Sequence, residues 1–204
     1  MPAPFHTLDA VAAPIDWPNV DTDQLSPVRF IRRPRSQGYG DILFHDLRFE
    51  GSGEEKPDFV LNQPSFRPAG ILVADRGFGV GSSRESAVWA LVDYGIRCVI
   101  AAGFGDIFHN NAVKHGLLLI REDAAVLQAE RAALREAPGT RLAVDLETQR
   151  WRGAAGALRR FEIEPGRKRR LQLGLDDIET TLQNLPEIRA FAGRYRERRP
   201  WLFT

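Results

Sequence analysis

The stretch that decides the fold spans residues 70–95 and reads Gly-Ile-Leu-Val-Ala-Asp-Arg-Gly-Phe-Gly-Val-Gly-Ser-Ser-Arg-Glu-Ser-Ala-Val-Trp-Ala-Leu-Val-Asp-Tyr-Gly. A short apolar run at 71–74 is typical of a buried strand, and apolar residues recur at helical spacing over 87–94 before a glycine ends the pattern. Between them lies a loop with three evenly spaced glycines and little side-chain bulk. The stretch predicts a strand, a glycine-rich turn and a helix, with two hydroxyls and a guanidinium at the junction.

This junction has two interpretations. A helix N-terminus presents unpaired N–H groups and partial positive charge, and Arg84 adds a planar fork that matches a carboxylate, so the junction suits an anion. Alternatively, Ser82 at the N-cap and Glu85 three residues later form a capping box that only starts the helix. The glycine spacing matches neither G-x-G-x-x-G nor a P-loop, which disfavours nucleotide binding.

The alternation of strand, loop and helix continues to residue 120. A second apolar run at 96–101 is followed by a helix from near Asp106 to Gly116, and that helix leads into a third run at 117–120. Such alternation implies right-handed parallel crossovers, with functional loops at the carboxyl ends of the strands. We therefore expect an α/β fold with a mostly parallel βαβ core.

The flanking regions are less regular. Residues 1–18 contain four prolines and are expected to be irregular or to form short edge strands. After the core we expect an amphipathic helix over Glu122–Glu136, strands over Arg141–Leu146 and Leu158–Ile163 joined by a loop, and helices after Asp176 and after Pro186. A single domain over residues 1–204 is expected, with a core at about 5–185 and a helical tail at about 186–204.

Overall composition limits the class of protein. The chain has 204 residues, 43% of them hydrophobic, and its 28 basic and 27 acidic residues give a formal net charge of +1. This balance points to neither nucleic acid nor an anionic membrane as a partner. No apolar run approaches the roughly 20 residues that cross a bilayer, and the first residues lack the segments of a signal peptide. A cytoplasmic protein is therefore expected.

The one cysteine, Cys98, lies in the apolar run at 96–101, where a buried structural thiol is expected. A single cysteine can neither ligate a 4Fe-4S cluster nor form an intrachain disulfide. His109 and His115 are six residues apart and do not share a helix face as a metal pair would. No metal ligand is therefore assigned to this chain.

A set of motifs distributed along the chain resembles one known family. In chain order they are Asn19-Val20-Asp21-Thr22-Asp23-Gln24, Leu43-Phe44-His45-Asp46 with Arg48-Phe49, Asp58-Phe59-Val60-Leu61-Asn62, Gly81-Ser82-Ser83-Arg84-Glu85, Trp89-Ala90-Leu91 with Asp93-Tyr94-Gly95, Asp106-Ile107-Phe108 with Asn110-Asn111, and Gly116-Leu117-Leu118. Their order and spacing over most of residues 5–185 resemble the swivel domain of the aconitase superfamily. The wider match is to a free-standing form of that domain, the small subunits of 3-isopropylmalate dehydratases.

The resemblance implies an aconitase swivel-type β/β/α domain with C-terminal helices. It implies a part in a hydro-lyase of leucine biosynthesis that interconverts 2-isopropylmalate and 3-isopropylmalate, a small-molecule diacid substrate pair. Aconitase-type dehydration needs a 4Fe-4S cluster, so the resemblance implies an iron–sulfur large subunit as partner, in a heterodimer or heterotetramer. No cofactor is then bound by this chain itself.

The same resemblance assigns roles at the glycine-rich junction. Ser82 would be the catalytic base, held as an alkoxide by backbone N–H groups, because a free serine is too weak a base. Arg84 would bind a substrate carboxylate, and Ser83 would hydrogen-bond nearby. Gly81 and Glu85 are expected to support these groups.

Two further segments are expected to face the substrate. By the resemblance, Asp23 aligns with an acidic residue that pairs with a catalytic histidine of the part that carries the iron–sulfur cluster, and Thr22 is expected to support it. Closely spaced acids with a threonine are also typical of an Asx turn or helix cap. The segment after it corresponds to the loop that contacts the substrate's variable group, and its candidate residues are Val28, Arg29, Phe30 and Ile31.

Several positions depart from the family's usual residues, among them Val80, Ser86, Ala112 and His115. Because Val80 and Ser86 flank the expected site, a related diacid is an alternative substrate. The candidates are citraconate or 2-methylmalate, dimethylmalate, and a homoaconitate-type acid.

A function of another class, a nucleic-acid-binding or regulatory module, has one argument in its favour. Arginine-rich clusters at 167–170 and 194–199 carry the charge that neutralises phosphates. Glu187 and Glu197 interrupt the later cluster, and the whole chain carries only +1. A solvated face or a protein interface is therefore the expected role of these arginines.

Overall fold

Seven strands within residues 2–203, the part of the chain that this computed structural model describes, form one mixed sheet. In chain order they are β1 (Thr7–Pro14), β2 (Ile71–Val73), β3 (Cys98–Ala101), β4 (Leu118–Arg121), β5 (Arg141–Asp145), β6 (Arg150–Arg152) and β7 (Leu158–Arg160). The spatial order is β4-β3-β2-β1-β5-β6-β7. β1 to β4 pair in parallel, while β5 to β7 continue from β1 in antiparallel pairs. The predicted α/β class and parallel core are confirmed.

Eight α-helices lie in the described part of the chain. They are α1 (Thr22–Leu25), α2 (His45–Arg48), α3 (Glu85–Tyr94), α4 (Asp106–Lys114), α5 (Ala124–Glu136), α6 (Pro165–Leu173), α7 (Asp177–Leu182) and α8 (Leu185–Arg198). Short 3-10 turns occur at Val28–Phe30, Arg35–Gln37, Gly40–Ile42, Val60–Asn62 and Pro200–Leu202. None of these helices is both long and apolar enough to span a membrane.

The parallel strands are buried on both faces. Ile71 and Val73 pack into one hydrophobic core, and Leu72 between them packs into the other. α3 contributes to the core around Leu72, whereas α5 contributes to the core around Val73. Burial on both sides explains why β2 and β3 are continuous apolar runs and not alternating ones.

The prediction for residues 1–18 is wrong, because this segment holds the central strand of the sheet. β1 pairs in parallel with β2, with Ala12 opposite Ile71, and antiparallel with β5, with Leu8 opposite Val144. The prolines flank the strand and do not interrupt it, since Pro14 is its last residue. Strand pairing to segments far along the chain decided this element, and local composition carried no signal of it.

The elements after residue 120 were predicted in part. The amphipathic helix begins at Ala124, with Asp123 as its N-cap, and the helix predicted after Pro186 begins one residue before that proline. β6 occupies part of the predicted loop between β5 and β7, and α6 was not predicted. The single-domain organisation over 1–204 stays a prediction, and its end residues Met1 and Thr204 lie outside the described residues.

Candidate active site

Three loops meet at the carboxyl ends of β1, β2 and β3. We call residues 76–84 the Ser82 loop, because it carries the predicted base. Within it Gly79 N–H donates to the Val20 carbonyl at 2.7 Å, and the Val80 carbonyl accepts from Thr22 N–H at 2.9 Å. On its other side, Gly105 N–H donates to the Phe78 carbonyl at 2.9 Å. Backbone hydrogen bonds therefore join the Ser82 loop to the loop after β1 and the loop after β3.

The close approach of these loops requires glycine at specific positions. Gly79 has φ +74°, and a Cβ there would overlap the ring of Phe108 on α4. A Cβ at Gly105 would overlap the Gly79 carbonyl oxygen. The glycines that the sequence places in these turns are thus needed for contact between neighbouring loops, and not only for chain reversal.

The Ser82 loop leaves its hydroxyls uncommitted. Ser82 and Ser83 are exposed, and within residues 2–203 neither hydroxyl makes a hydrogen bond. The Ser82 carbonyl, in contrast, accepts a hydrogen bond from the hydroxyl of buried Thr22 at 3.1 Å. The predicted supporting role of Thr22 therefore has a geometric basis, because Thr22 holds the backbone next to the predicted base.

The alternative interpretation of the junction as a capping box is wrong. α3 begins at Glu85 with extended Arg84 as its N-cap, and no side chain caps its first turn. The Glu85 carboxylate lies instead 2.6 Å from Nε2 of His115, at the end of α4. Ala87 N–H donates to the Arg84 carbonyl at 3.2 Å, and the N–H groups of Glu85 and Ser86 retain the capacity to bind an anion.

Arg84 is paired within the chain. Its guanidinium donates two hydrogen bonds to the Asp23 carboxylate, one of them at 2.8 Å. The Arg84 side chain is only 12% exposed, whereas that of Asp23 is 55% exposed. The hydrogen bond from Arg84 holds the pKa of Asp23 below its usual value, so Asp23 is ionised at neutral pH. The predicted pairing of Asp23 with a partner's histidine stays a prediction, and in this chain the carboxylate lies on Arg84.

The two aspartates of the 21–23 cluster have different functions. Asp21 caps α1 in a capping box, because its side chain accepts from Gln24 N–H at 2.7 Å and the Gln24 side chain accepts from Asp21 N–H. Asp23 takes no part in that cap and reaches Arg84. The helix-cap interpretation thus holds for Asp21, whereas the role of Asp23 as a site residue stays a prediction.

A buried contact that sequence reasoning missed joins α1 to α3. The hydroxyls of Ser26 and Ser86 lie 3.1 Å apart, and both residues are buried. The two serines are 60 positions apart in the chain, so no local pattern connects them. Ser86 therefore positions the start of α3 against the segment that carries Asp23.

The segment predicted to read the substrate's variable group forms a 3-10 turn. We call residues 28–31 the Val28 turn. Val28 and Ile31 are more than half exposed, and Val28 N–H donates to Asp23 Oδ1 at 3.3 Å. Arg29 does not project freely, because its guanidinium donates two hydrogen bonds to Asp46 and lies 4.6 Å from the ring centroid of Phe30. The turn therefore presents apolar side chains beside a neutralised cation.

Two histidines lie near the loops, each with a partner. His115 faces Glu85 as described, and Trp89 Nε1 lies 3.1 Å from its Nε2. His109 stacks on Phe104 at a centroid distance of 6.1 Å and lies 2.6 Å from an Arg167 nitrogen. Burial and the Arg167 guanidinium hold the pKa of His109 below its ordinary value. Both histidines thus connect α4 to neighbouring elements.

The residues present do not fit an iron–sulfur cluster. Cys98 is fully buried in β3, and burial raises its pKa, which disfavours the thiolate that a cluster requires. Among residues 2–203, no group of three or more histidine, cysteine, aspartate or glutamate side chains is arranged to hold a metal ion.

Comparison with known proteins adds family relationships to this geometry. The profile of the aconitase C-terminal domain family matches residues 3–125, and a profile for the C-terminal domain of 3-isopropylmalate dehydratase small subunits matches residues 177–204. A 3-isopropylmalate dehydratase small subunit from Afipia carboxidovorans is 48% identical over 203 residues, which covers 97% of this chain and 98% of the relative. A protein of the same name from a Jannaschia species is 47% identical with the same coverage.

A solved structure of similar fold is that of a 3-isopropylmalate dehydratase from Methanocaldococcus jannaschii. The TM-score is 0.64, and the match covers 91% of this chain and 99% of the other. At 22% identity this likeness supports the fold alone. The swivel-type architecture predicted from the motifs is thereby confirmed.

Proposed function

We infer that this chain, which belongs to the aconitase superfamily and to its family of 3-isopropylmalate dehydratase small subunits, forms one wall of the active site of a hydro-lyase. The enzyme interconverts 2-isopropylmalate and 3-isopropylmalate in leucine biosynthesis. The observation that carries the proposal is 48% identity over 97% of the chain to a small subunit of that name. A large subunit is the necessary partner. The cytoplasmic location expected from the sequence stays a prediction.

The cofactor of the reaction belongs to the partner in this proposal. The 4Fe-4S cluster expected for the superfamily supplies a Lewis acid for the departing hydroxyl, and we assign it to the large subunit. The present chain then contributes the groups that bind, orient and deprotonate the substrate. The heterodimeric or heterotetrameric state of the complex stays a prediction.

Ser82 is the proposed base. Its hydroxyl is exposed and makes no hydrogen bond within residues 2–203, while its own carbonyl is fixed by Thr22. Deprotonation needs strong stabilisation of the alkoxide, for which the uncapped first turn of α3 supplies N–H groups. Ser83, also exposed, is the proposed neighbouring hydrogen-bond donor.

Arg84 is the proposed ligand of a substrate carboxylate, and Asp23 is its ion-pair partner in the free chain. The bidentate pair shows that the guanidinium is already positioned for two parallel hydrogen bonds to a carboxylate. A substrate carboxylate that takes this position exchanges with Asp23 or shares the guanidinium with it. Asp23 is thus a positioning residue that holds Arg84 ready for substrate.

The Val28 turn supports an alkyl-substituted substrate. Val28 and Ile31 offer apolar surface, and the charge of Arg29 is satisfied by Asp46. Arg29 is the only cation of the turn, so a substrate with a second carboxylate in its tail would have to displace Asp46 from it or reach the exposed Arg32 beyond the turn. Among the alternatives, this favours isopropylmalate, 2-methylmalate and dimethylmalate over a homoaconitate-type acid.

The test is turnover by the complex of this chain with the large subunit of its own organism. We expect activity with 2-isopropylmalate only when both subunits are present, and a higher kcat/KM than with 2-methylmalate, dimethylmalate or homoaconitate. Higher kcat/KM for another diacid would assign a different substrate. Hydratase activity of this chain by itself would contradict the proposal that the large subunit is required for the reaction.

A further inference from the structure

The C-terminal arm, residues 177–203, comprises α7, α8 and the Pro200–Leu202 turn. No residue of α7 or α8 is buried. Of the twelve large apolar side chains exposed within residues 2–203, seven lie in this arm: Ile178, Leu182, Ile188, Phe191, Trp201, Leu202 and Phe203. Such a concentration of exposed apolar surface marks an interaction site.

The apolar residues of α8 follow a helical stripe. Leu185, Ile188, Phe191 and Tyr195 recur at intervals of three and four, the spacing of one helix face. Phe191 stacks on Tyr195 at 5.7 Å, and Tyr195 meets the ring of Phe203 edge-on at 6.1 Å. The arm therefore presents a row of aromatic rings beside the aliphatic side chains.

Basic side chains surround this row. The guanidinium of Arg196 lies 5.0 Å from the Phe203 ring centroid, and that of Arg199 lies 5.3 Å from that of Tyr195. Residues 185–203 contain five arginines and two glutamates. The matching surface is consequently apolar at its centre and acidic at its edge.

The stability of α8 is a second argument for a partner that covers this apolar face. α8 has 14 residues, and helices of about that length are marginal in water without tertiary packing. No residue of α8 is buried against the rest of the described chain. A partner that covers the stripe would supply the missing packing.

We propose that the C-terminal arm docks into an acidic-edged apolar groove of the large subunit, an inference that rests on the proposed function. The aconitase C-terminal domain profile ends at residue 125, whereas the profile that matches 177–204 describes the C-terminal domain of dehydratase small subunits. The arm thus lies outside the superfamily match and inside the small-subunit match. In the proposed complex, non-covalent contacts of this kind would hold the small subunit to the large one.

The arm and the Ser82 loop lie at opposite ends of α4. Phe108 in the first turn of α4 contacts Gly79, whereas Lys114 in its last turn pairs with Asp177 of α7 at 3.0 Å. The nine residues of α4 span about 13 Å. The contact of the arm with α4 thus lies at the end of that helix away from the Ser82 loop, and we expect the arm to change partner affinity and not the chemical step.

The experiment measures the Kd between this chain and the purified large subunit by titration calorimetry. Phe191→Asp and Ile188→Asp are compared with Leu158→Asp, a control on β7 with similar exposure. We expect the arm variants to raise Kd at least tenfold and the control less than twofold. At saturating large subunit, kcat of the arm variants should return to within twofold of the original.

Arg194→Glu with Arg198→Glu provides a second test that keeps the apolar stripe. Its Kd should rise, and the difference should diminish as salt screens the charges. Circular dichroism checks that each variant keeps its helix content.

The outcomes separate this inference from the proposed function. Unchanged Kd for the Phe191, Ile188 and double arginine variants would overturn the docking proposal, even with full dehydratase activity. If Phe191→Asp instead abolished self-association of the free chain and left Kd unchanged, the face would belong to a second copy, which also overturns it. A complex that depends on Phe191 but turns over no isopropylmalate would refute only the function.

Discussion

Backbone hydrogen bonds hold the Ser82 loop against its two neighbours, whereas a side-chain ion pair between Arg29 and Asp46 holds the Val28 turn. In the first case the two serine hydroxyls stay uncommitted, since neither the Ser82 nor the Ser83 hydroxyl is hydrogen-bonded within residues 2–203, and only Arg84 is paired, with Asp23. In the second case both charged partners are about half exposed. The difference teaches that main-chain hydrogen bonds join the reacting loop to its neighbours, while side-chain contacts join the turn proposed to face the substrate tail to the segments around it.

The largest effect should come from the proposed base. Ser82→Ala removes the only group proposed to abstract the substrate proton, so kcat of the complex should fall by about 10²–10⁴-fold. Stability should hardly change, because the hydroxyl has no partner in the described chain. Steady-state turnover with 2-isopropylmalate measures this, with Ser52→Ala, in an exposed turn outside the three loops of the site, as the control. Near-normal turnover of Ser82→Ala would remove the base assignment.

Gly79→Ala should disrupt the loop that presents this base. Its φ of +74° disfavours alanine, and the added Cβ overlaps the Phe108 ring, so the free energy of unfolding should fall by about 2–4 kcal/mol. Gly53→Ala is the matched control, since Gly53 has φ +88° but nothing within 4 Å of the added Cβ. Denaturant unfolding measures both variants. Equal losses would show that loop contact contributes nothing beyond backbone strain.

Arg84→Lys should chiefly weaken substrate binding. Lysine cannot reproduce the two parallel hydrogen bonds to a carboxylate, so KM should rise about tenfold with a smaller change in kcat. Arg67→Lys, which alters a similar two-bond pair with Glu55 elsewhere on the surface, should leave KM unchanged. A large fall in kcat at constant KM would place Arg84 in transition-state stabilisation instead.

The Asp23–Arg84 pair has a defined pH dependence. Because the pKa of Asp23 is lowered on folding, its contribution is present above the ordinary value of 3.8 and is lost as pH falls through the lower folded value. The stability difference between the original chain and Asp23→Asn should therefore be constant from about pH 6 to 8 and disappear only in acid. A difference that changes near neutral pH would mean that another group controls the pair.

The smallest of these effects on function should come from the Val28 turn. Asp46→Asn weakens an exposed ion pair and should cost less than about 1 kcal/mol. It also frees Arg29, so the KM for a malate with a carboxylate tail should fall relative to that for 2-isopropylmalate. Asp41→Asn, which weakens the Arg33 pair, is the control for a general charge effect. An unchanged KM ratio would show that the turn does not read the tail.

Much of the parallel half could be predicted from sequence, because β2, α3, β3, α4 and β4 follow one another with short connections. Apolar runs, helical periodicity and the glycines of residues 70–120 are local signals that agree with the local structure. The antiparallel half was harder, since β6 is one tryptophan between two arginines with no apolar run, and α6 is rich in basic residues without a marked apolar stripe. Short elements carry too few residues for a period to be recognised.

The site divides in the same way. The Gly-Ser-Ser-Arg-Glu sequence by itself indicated a glycine-rich turn before a helix, an anion-binding junction and a resemblance to the aconitase superfamily. The capping box inferred from the same residues does not form, because α3 begins at Glu85 and not after Ser82, and the Glu85 carboxylate lies beside His115, 30 residues away. Sequence spacing identifies which side chains are near each other along the chain. It does not identify contacts with side chains from distant parts of the sequence, such as His115.

The sequence by itself determined the strand–loop–helix order, the need for glycine in the Ser82 loop and the family of the chain, because these depend on local conformation and on motif order. Only the tertiary structure decided that β1 is central, that Asp23 lies on Arg84 across 61 residues, and that Ser26 meets Ser86. Each of these contacts joins segments from different parts of the chain. Strand register and burial bring such segments together, and both are properties of the packed sheet that no local stretch of sequence encodes.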